Sequence, residues 1–100
     1  MWNYNYYVYI TTNSQKTVLY IGVTNNLQRR LDEHKENAGK ATSFAGKYYC
    51  YYLVYWERHT NIEHAIEREI ELKKWSRVKK EMLIKTINPN WNFLNAEVNS

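Results

Sequence analysis

One stretch limits the folds open to this chain more than any other. It reads Leu19-Tyr20-Ile21-Gly22, then Asn25-Asn26-Leu27-Gln28-Arg29-Arg30-Leu31-Asp32-Glu33-His34. Val18 to Ile21 is apolar and β-leaning, as a central strand requires. Gly22 ends the run, where the backbone can turn or let another group come close. Thr24, Asn25 and Asn26 follow with side-chain oxygens able to cap a helix. In that helix Leu27 and Leu31 are one turn apart and face a sheet. At about 100° per residue, His34 falls almost above Leu27 and Arg30 a little to one side. A cation and an imidazole thus share the inward side beside the Tyr20 strand, which is the first indication of a site.

The remaining elements follow from local pattern. Strand one is expected from about Tyr6 to Thr11 and strand two from about Thr17 to Ile21, joined by a polar loop as a hairpin. Helix one spans roughly Asn26 to Asn37. Ala38 to Lys47 contains Gly39 and Gly46 and reads as a flexible loop carrying Lys40 and Lys47. A dense aromatic and β-branched run makes Tyr48 to Trp56 strand three. Thr60-x-x-Glu63 reads as a capping box opening a helix from Ile62 to about Trp75. A last helix from about Arg77 to Ile87 is stopped by Asn88-Pro89. Asn90 to Asn95 packs Trp91 and Phe93 back onto the body, while Met1 to Asn5 is a loose lead-in and the tail frays. The order β-β-α-β-α-α predicts an α+β fold. It has a small three-stranded sheet, the N-terminal hairpin plus a third strand, flanked by about three helices. One hundred residues make one domain, 1–100, with its core over about 6–92.

Composition narrows the class further. Apolar residues at 44% and aromatics at 16% exclude a disordered chain. No apolar run approaches the roughly 18 residues of a membrane helix, and no basic, then apolar, leader opens the sequence, so a cytoplasmic protein is expected. The lone Cys50 can form no internal disulfide and reads as a small buried hydrophobe rather than a nucleophile. The formal charge of +4, from 14 basic and 10 acidic residues, suits a polyanionic partner without establishing one.

Glu69 is the sharpest single residue. At helical spacing Ile62, Ala65, Ile66 and Leu72 form an apolar stripe, and Glu69 lies inside it, while Glu63, Glu67, Glu71, Arg68 and Lys74 take the outer face. A carboxylate aimed into a core is costly unless it is paired or bound to a metal. Three readings fit the projection: a metal ligand, a salt bridge to Arg30, or a carboxylate at the stripe's exposed edge. Among ten tyrosines, Tyr9 and Tyr20 read first as a cross-strand aromatic pair, and differ from the others in sitting on adjacent hairpin strands, close enough to converge on one point. His34 alone on such a face is more often a hydrogen-bonded core residue than a catalyst.

Taken together, Tyr7-Val8-Tyr9, Tyr20-Ile21-Gly22 and the Arg-Arg-x-x-x-His helix resemble the GIY-YIG nuclease superfamily. The closest likeness is to its small stand-alone members, related to the N-terminal nuclease domain of the bacterial repair excinuclease. Tyr7 stands where a glycine is usual, and Val23 follows Gly22 where the excinuclease has a lysine. The resemblance implies a metal-dependent DNA endonuclease, acting in repair or recombination. It implies catalytic roles for Tyr9, Tyr20, Arg30, His34, Glu69 and Asn92, with Asn90 the alternative to Asn92. Glu69 would hold the cofactor, Mg²⁺ or Mn²⁺, and either tyrosine could serve as the base. DNA is the implied partner, with Arg29, Lys40 and Lys47 flanking the site to bind it. A separate targeting protein would supply the specificity that family members usually take from a second domain. The competing reading is a nucleic-acid-binding module on the same fold, with little or no activity alone.

Overall fold

Seven consecutive residues with alternating faces, Tyr6 to Thr12, supply the middle of the sheet. The computed structural model describes residues 4–98; the start of the expected lead-in and the last two residues of the tail lie outside them. In chain order the elements are β1 (Tyr6–Thr12), β2 (Leu19–Thr24), α1 (Leu27–Glu36), α2 (Phe44–Lys47), β3 (Tyr52–His59), α3 (Ile62–Lys74), α4 (Arg77–Ile87) and α5 (Asn95–Val98). The sheet is antiparallel with strand order β2-β1-β3, so β1 is covered on both faces and Val8 to Thr12 are all buried. The α+β fold with its three-stranded sheet is as the sequence predicts.

The two faces carry two cores. Val8, Ile10, Ile21 and Val54 pack with Ala65, Leu72 and Ile84 of α3 and α4. Tyr9 and Leu53 pack with Leu27 and Leu31 of α1. Between Ile10 and Thr11 the β1–β3 register shifts, and Val54 is passed over. Its carbonyl instead accepts a hydrogen bond of 2.9 Å from the Nδ2 of buried Asn88, just past α4. A bulge is tolerable because the polar group it frees finds a partner.

Five boundaries differ from expectation, each for a local reason. β2 does not end at Gly22 but runs through it to Thr24, pairing Gly22 with Tyr9. β3 starts at Tyr52 because the backbone turns at Tyr49 (φ 57°), and Cys50 is tied back to Ala45 O by a 2.8 Å bond. That tie also orders the loop expected over 38–47, which holds α2, its first turn capped by the Ser43 side chain. The cap of α3 is Asn61 rather than Thr60, its Oδ1 accepting from the N–H groups of Glu63 and His64. The tail forms α5, fixed by Asn95, whose side chain bonds Leu53 N and Tyr51 O. Cys50 is fully buried, and burial pushes its thiol up to about 11, which suits an inert hydrophobe. No helix among the described residues is long and apolar enough to cross a membrane.

Gly22 is therefore a close-approach glycine rather than a strand stop. A methyl group there would fall 2.6 Å from Tyr9 Cζ and nearer still to its hydroxyl. Gly22→Ala is expected to destabilise the fold by about 1–3 kcal/mol, the usual range for overpacking. Denaturant melts of Gly22→Ala in the wild-type and Tyr9→Leu backgrounds check this, and the penalty should shrink when the ring is removed.

Candidate active site

The hairpin register aims Tyr9 and Tyr20 at the same side of the sheet. Tyr20 faces Thr11 across the ladder, two residues along from Tyr9, and the ring centroids stand 6.2 Å apart. α1 closes over them from an Asn26 cap, with Leu27 and Leu31 buried against the sheet. The same face of α1 brings His34, 3% exposed, and Arg30, half-buried, to the two phenols. Four of the expected site residues thus meet at one point.

Their hydrogen bonds form a line. Arg30 Nε donates to Tyr9 Oη at 3.4 Å, and Tyr9 Oη stands 2.8 Å from His34 Nε2. Burial, helped by the adjacent Arg30 cation, holds His34 down to about 4, so its ring is neutral at neutral pH. Burial and the neighbouring Tyr20 push the Tyr9 phenol well above its ordinary value, against the opposing pull of Arg30. Where Tyr9 donates to His34 Nε2 the imidazole proton sits on Nδ1; where the proton is on Nε2, Tyr9 accepts from both His34 and Arg30. Arg30 loses solvation by burial, but its bonds to Tyr9 and Glu33 outweigh that loss and hold it firmly charged. Glu33 takes one arm of the guanidinium at 2.8 Å.

The two tyrosines differ in access. Tyr9 is fully buried, whereas half-buried Tyr20 lines an open groove with Leu19, Ile21, Phe44, Lys73 and Lys80. The Phe44 ring lies nearly parallel to that of Tyr20, at 6.1 Å and 24°.

Glu69 comes from the other side of the sheet, on α3, which packs against β1 and the edge strand β2. Its side chain is only 16% exposed, yet Ile62 and Ile66 are each 41% exposed. The inward line of α3 is therefore narrower than the projected stripe, running through Ala65, Glu69 and Leu72, with Arg68 turned in to pair with Glu57. The partner of Glu69 is not Arg30 but Lys73, 3.1 Å away and one turn on. Lys73 also lines the Tyr20 groove, so Glu69 is linked to that groove through its lysine partner.

No group of three or more His, Cys, Asp or Glu residues gathers among the described residues. A single covered carboxylate with a displaceable, half-exposed lysine still fits Mg²⁺, which keeps several waters and takes one or two protein carboxylates. The lysine end of the pair is 53% exposed, so a divalent cation can reach the carboxylate and compete for it.

None of the other expected residues bonds into the line of Arg30, Tyr9 and His34 among the described residues. Asn92 is exposed, and its backbone, not its side chain, is engaged, exchanging two 2.9 Å bonds with the Asn88 amide. Asn90 is exposed as well. Arg29 is held by Asn25 (3.0 Å) and Glu33 (3.5 Å), Lys40 is exposed beside α2, and Lys47 lies 5.4 Å over the Tyr48 ring. Sequence reading missed Glu33, Phe44, Lys73 and Lys80. Helical spacing offered two of them, since Glu33 is three residues from Arg30 and Lys73 four from Glu69. Phe44 and Lys80 carry no local signal.

Comparison with known proteins gives this arrangement its class. The family model of the GIY-YIG catalytic domain matches residues 5–82. A UPF0213 protein of Natronomonas pharaonis is 38% identical over 80 residues, covering 80% of this chain and 91% of that protein. Another from Syntrophus aciditrophicus is 40% identical over 80 residues, covering 79% and 88%. The solution NMR structure of a UPF0213 protein from Bacillus halodurans superimposes with a TM-score of 0.54 at 32% identity, covering 87% of this chain and 89% of that one. The chain belongs to the GIY-YIG family, a nuclease-type catalytic domain, and within it to the small UPF0213 proteins.

The buried imidazole ties stability to pH. The folded value of about 4 lies below the ordinary value of about 6.5, so folding favours neutral His34. That contribution is present above about 6.5 and is lost as pH falls towards about 4. Melting temperatures from pH 7.5 to 4 should therefore drop in the wild type. They should drop less in His34→Asn, which removes the titrating ring.

Proposed function

We propose that the chain is a divalent-metal-dependent DNA endonuclease that hydrolyses phosphodiester bonds, with a role in DNA repair or recombination. The observation that carries this reading is the meeting of a held, charged Arg30 with an accessible phenol, Tyr20, beside a groove that Glu69 reaches through Lys73. Phosphodiester hydrolysis needs an oriented water, charge to meet the developing phosphorane, and support for the leaving oxygen. Arg30 meets the first negative charge: a planar guanidinium matches phosphate oxygens, and Glu33 fixes its orientation from behind. Tyr20 orients the water and takes its proton, since it borders the groove beside Arg30. Tyr9 and His34 are positioning residues, because a fully buried hydroxyl touches no substrate; they hold Arg30 from the interior. Glu69 would hold Mg²⁺ or Mn²⁺, which when bound would supply Lewis-acid polarisation of the phosphate and support for the leaving oxygen.

The second reading, a binding module with little activity alone, draws on one observation. The Lys73 ammonium already occupies a Glu69 oxygen. Cleavage of labelled DNA in Mn²⁺ and in EDTA separates the two. Under the endonuclease reading, EDTA stops cleavage and Arg30→Ala slows it by roughly 10²–10³-fold, the size of a lost transition-state donor. Glu69→Gln should abolish cleavage and leave DNA binding intact. Its stability should shift by less than about 1 kcal/mol, since only a half-exposed pair is lost. Full activity in EDTA would contradict the assignment.

A further inference from the structure

The groove beside Tyr20 has a cationic wall that the catalytic scheme does not use. Lys73 enters it from α3 and Lys80 from α4, facing Tyr20 and Phe44 across the edge of the sheet. The neighbouring cations of α4 are each accounted for. Arg77 donates to Lys16 O, Thr17 O and Glu81, and Lys79 lies 4.6 Å over the Trp75 ring. Lys80 is different: half-buried, it has no acidic partner among the described residues. A lysine whose stem lies against the groove wall and whose ammonium carries no carboxylate is open to an anion arriving from outside. Lys73 is held by Glu69 but is half-exposed, and it is released from that bond at little cost. Among the described residues Glu69 is the carboxylate bonded to this wall, and a metal on it would remove its attraction for Lys73. By contrast Arg29 is tied to Asn25 and Glu33.

We propose that Lys73 and Lys80 form a phosphate subsite that holds the nucleic-acid strand along the groove next to Tyr20. The proposal deepens the endonuclease reading and rests on it for the identity of the strand. Phe44, half exposed and stacked on Tyr20, forms the apolar side of the same groove and keeps the backbone towards the two ammonium groups. The ligand recognised is the phosphodiester backbone itself, so the subsite contributes affinity and register rather than sequence choice.

Salt dependence tests this without needing cleavage. Affinity for a short fluorescein-labelled duplex and its single strand is measured by anisotropy in EDTA over a range of salt. Each lysine that neutralises a phosphate contributes about 0.9 to the log–log slope on duplex and about 0.7 on single strand. Lys73→Ala and Lys80→Ala should each lose about that much, Lys80→Arg should regain it, and Lys85→Ala, on α4 away from the groove, should match the wild type. In Mn²⁺, Lys80→Ala should raise KM and keep kcat. A Lys73→Ala/Lys80→Ala protein with the wild-type slope, or an equal loss in Lys85→Ala, overturns the subsite. A wild type that binds with these slopes but cuts nothing defeats the endonuclease reading and leaves the subsite standing. A wild type that binds no DNA defeats both.

Discussion

The line Arg30 to Tyr9 to His34 is the interaction on which the rest of the structure depends. It joins the middle strand of the sheet to α1 through polar groups that have lost their water. Each member is satisfied only because the next is there, and a half-made buried network is costly. The 3.4 Å and 2.8 Å bonds need the Tyr9 ring lying flat over β2, which only a residue without Cβ permits at position 22. The glycine, the register opposite it and the helix cap at Asn26 are thus consequences of one requirement. That requirement is to keep a guanidinium charged and correctly turned at the rim of an apolar core.

Function follows from the different fates of two chemically identical phenols. Tyr9 is on the middle strand and is sealed, and in the proposed mechanism it keeps its proton and positions Arg30. Tyr20 is on the edge strand, where one side of the sheet is uncovered, and it opens onto a groove. The edge strand also lets α3, which covers the opposite face, bring Glu69 and Lys73 round to the same region.

Much of this was legible in the sequence, because it rested on period and spacing. The hairpin, the inward side of α1 with Arg30 and His34, and the covered Glu69 are all written at local distance. What was not legible depended on contacts between distant residues. Gly22 looked like a strand end until Tyr9 was seen over it. α2 exists because Cys50 bonds Ala45, and the bulge at Val54 is tolerable because Asn88 arrives from 34 residues away. Glu57 accepts from Tyr55, His59 and Arg68; the first two share its face of β3 at two-residue spacing, but Arg68 comes from α3 with no signal in the sequence. Those bonds hold its carboxyl below the ordinary range against the opposing effect of burial. Asn92 shows the limit of motif reading. The proline fixes where the chain turns, but the side chain the fold uses there is Asn88.

The central claim is that the accessible tyrosine handles the water's proton while the buried one only holds Arg30. Single-turnover cleavage of a labelled DNA at saturating Mn²⁺, comparing Tyr20→Phe with Tyr9→Phe, tests it most directly. The account predicts a loss of at least ~10²-fold for Tyr20→Phe, the usual size of a lost general base. Tyr9→Phe should keep a measurable rate and instead lose about 1–3 kcal/mol of stability, the cost of stranding His34 Nε2 without its partner. An active Tyr20→Phe beside an inactive, fully folded Tyr9→Phe would contradict it.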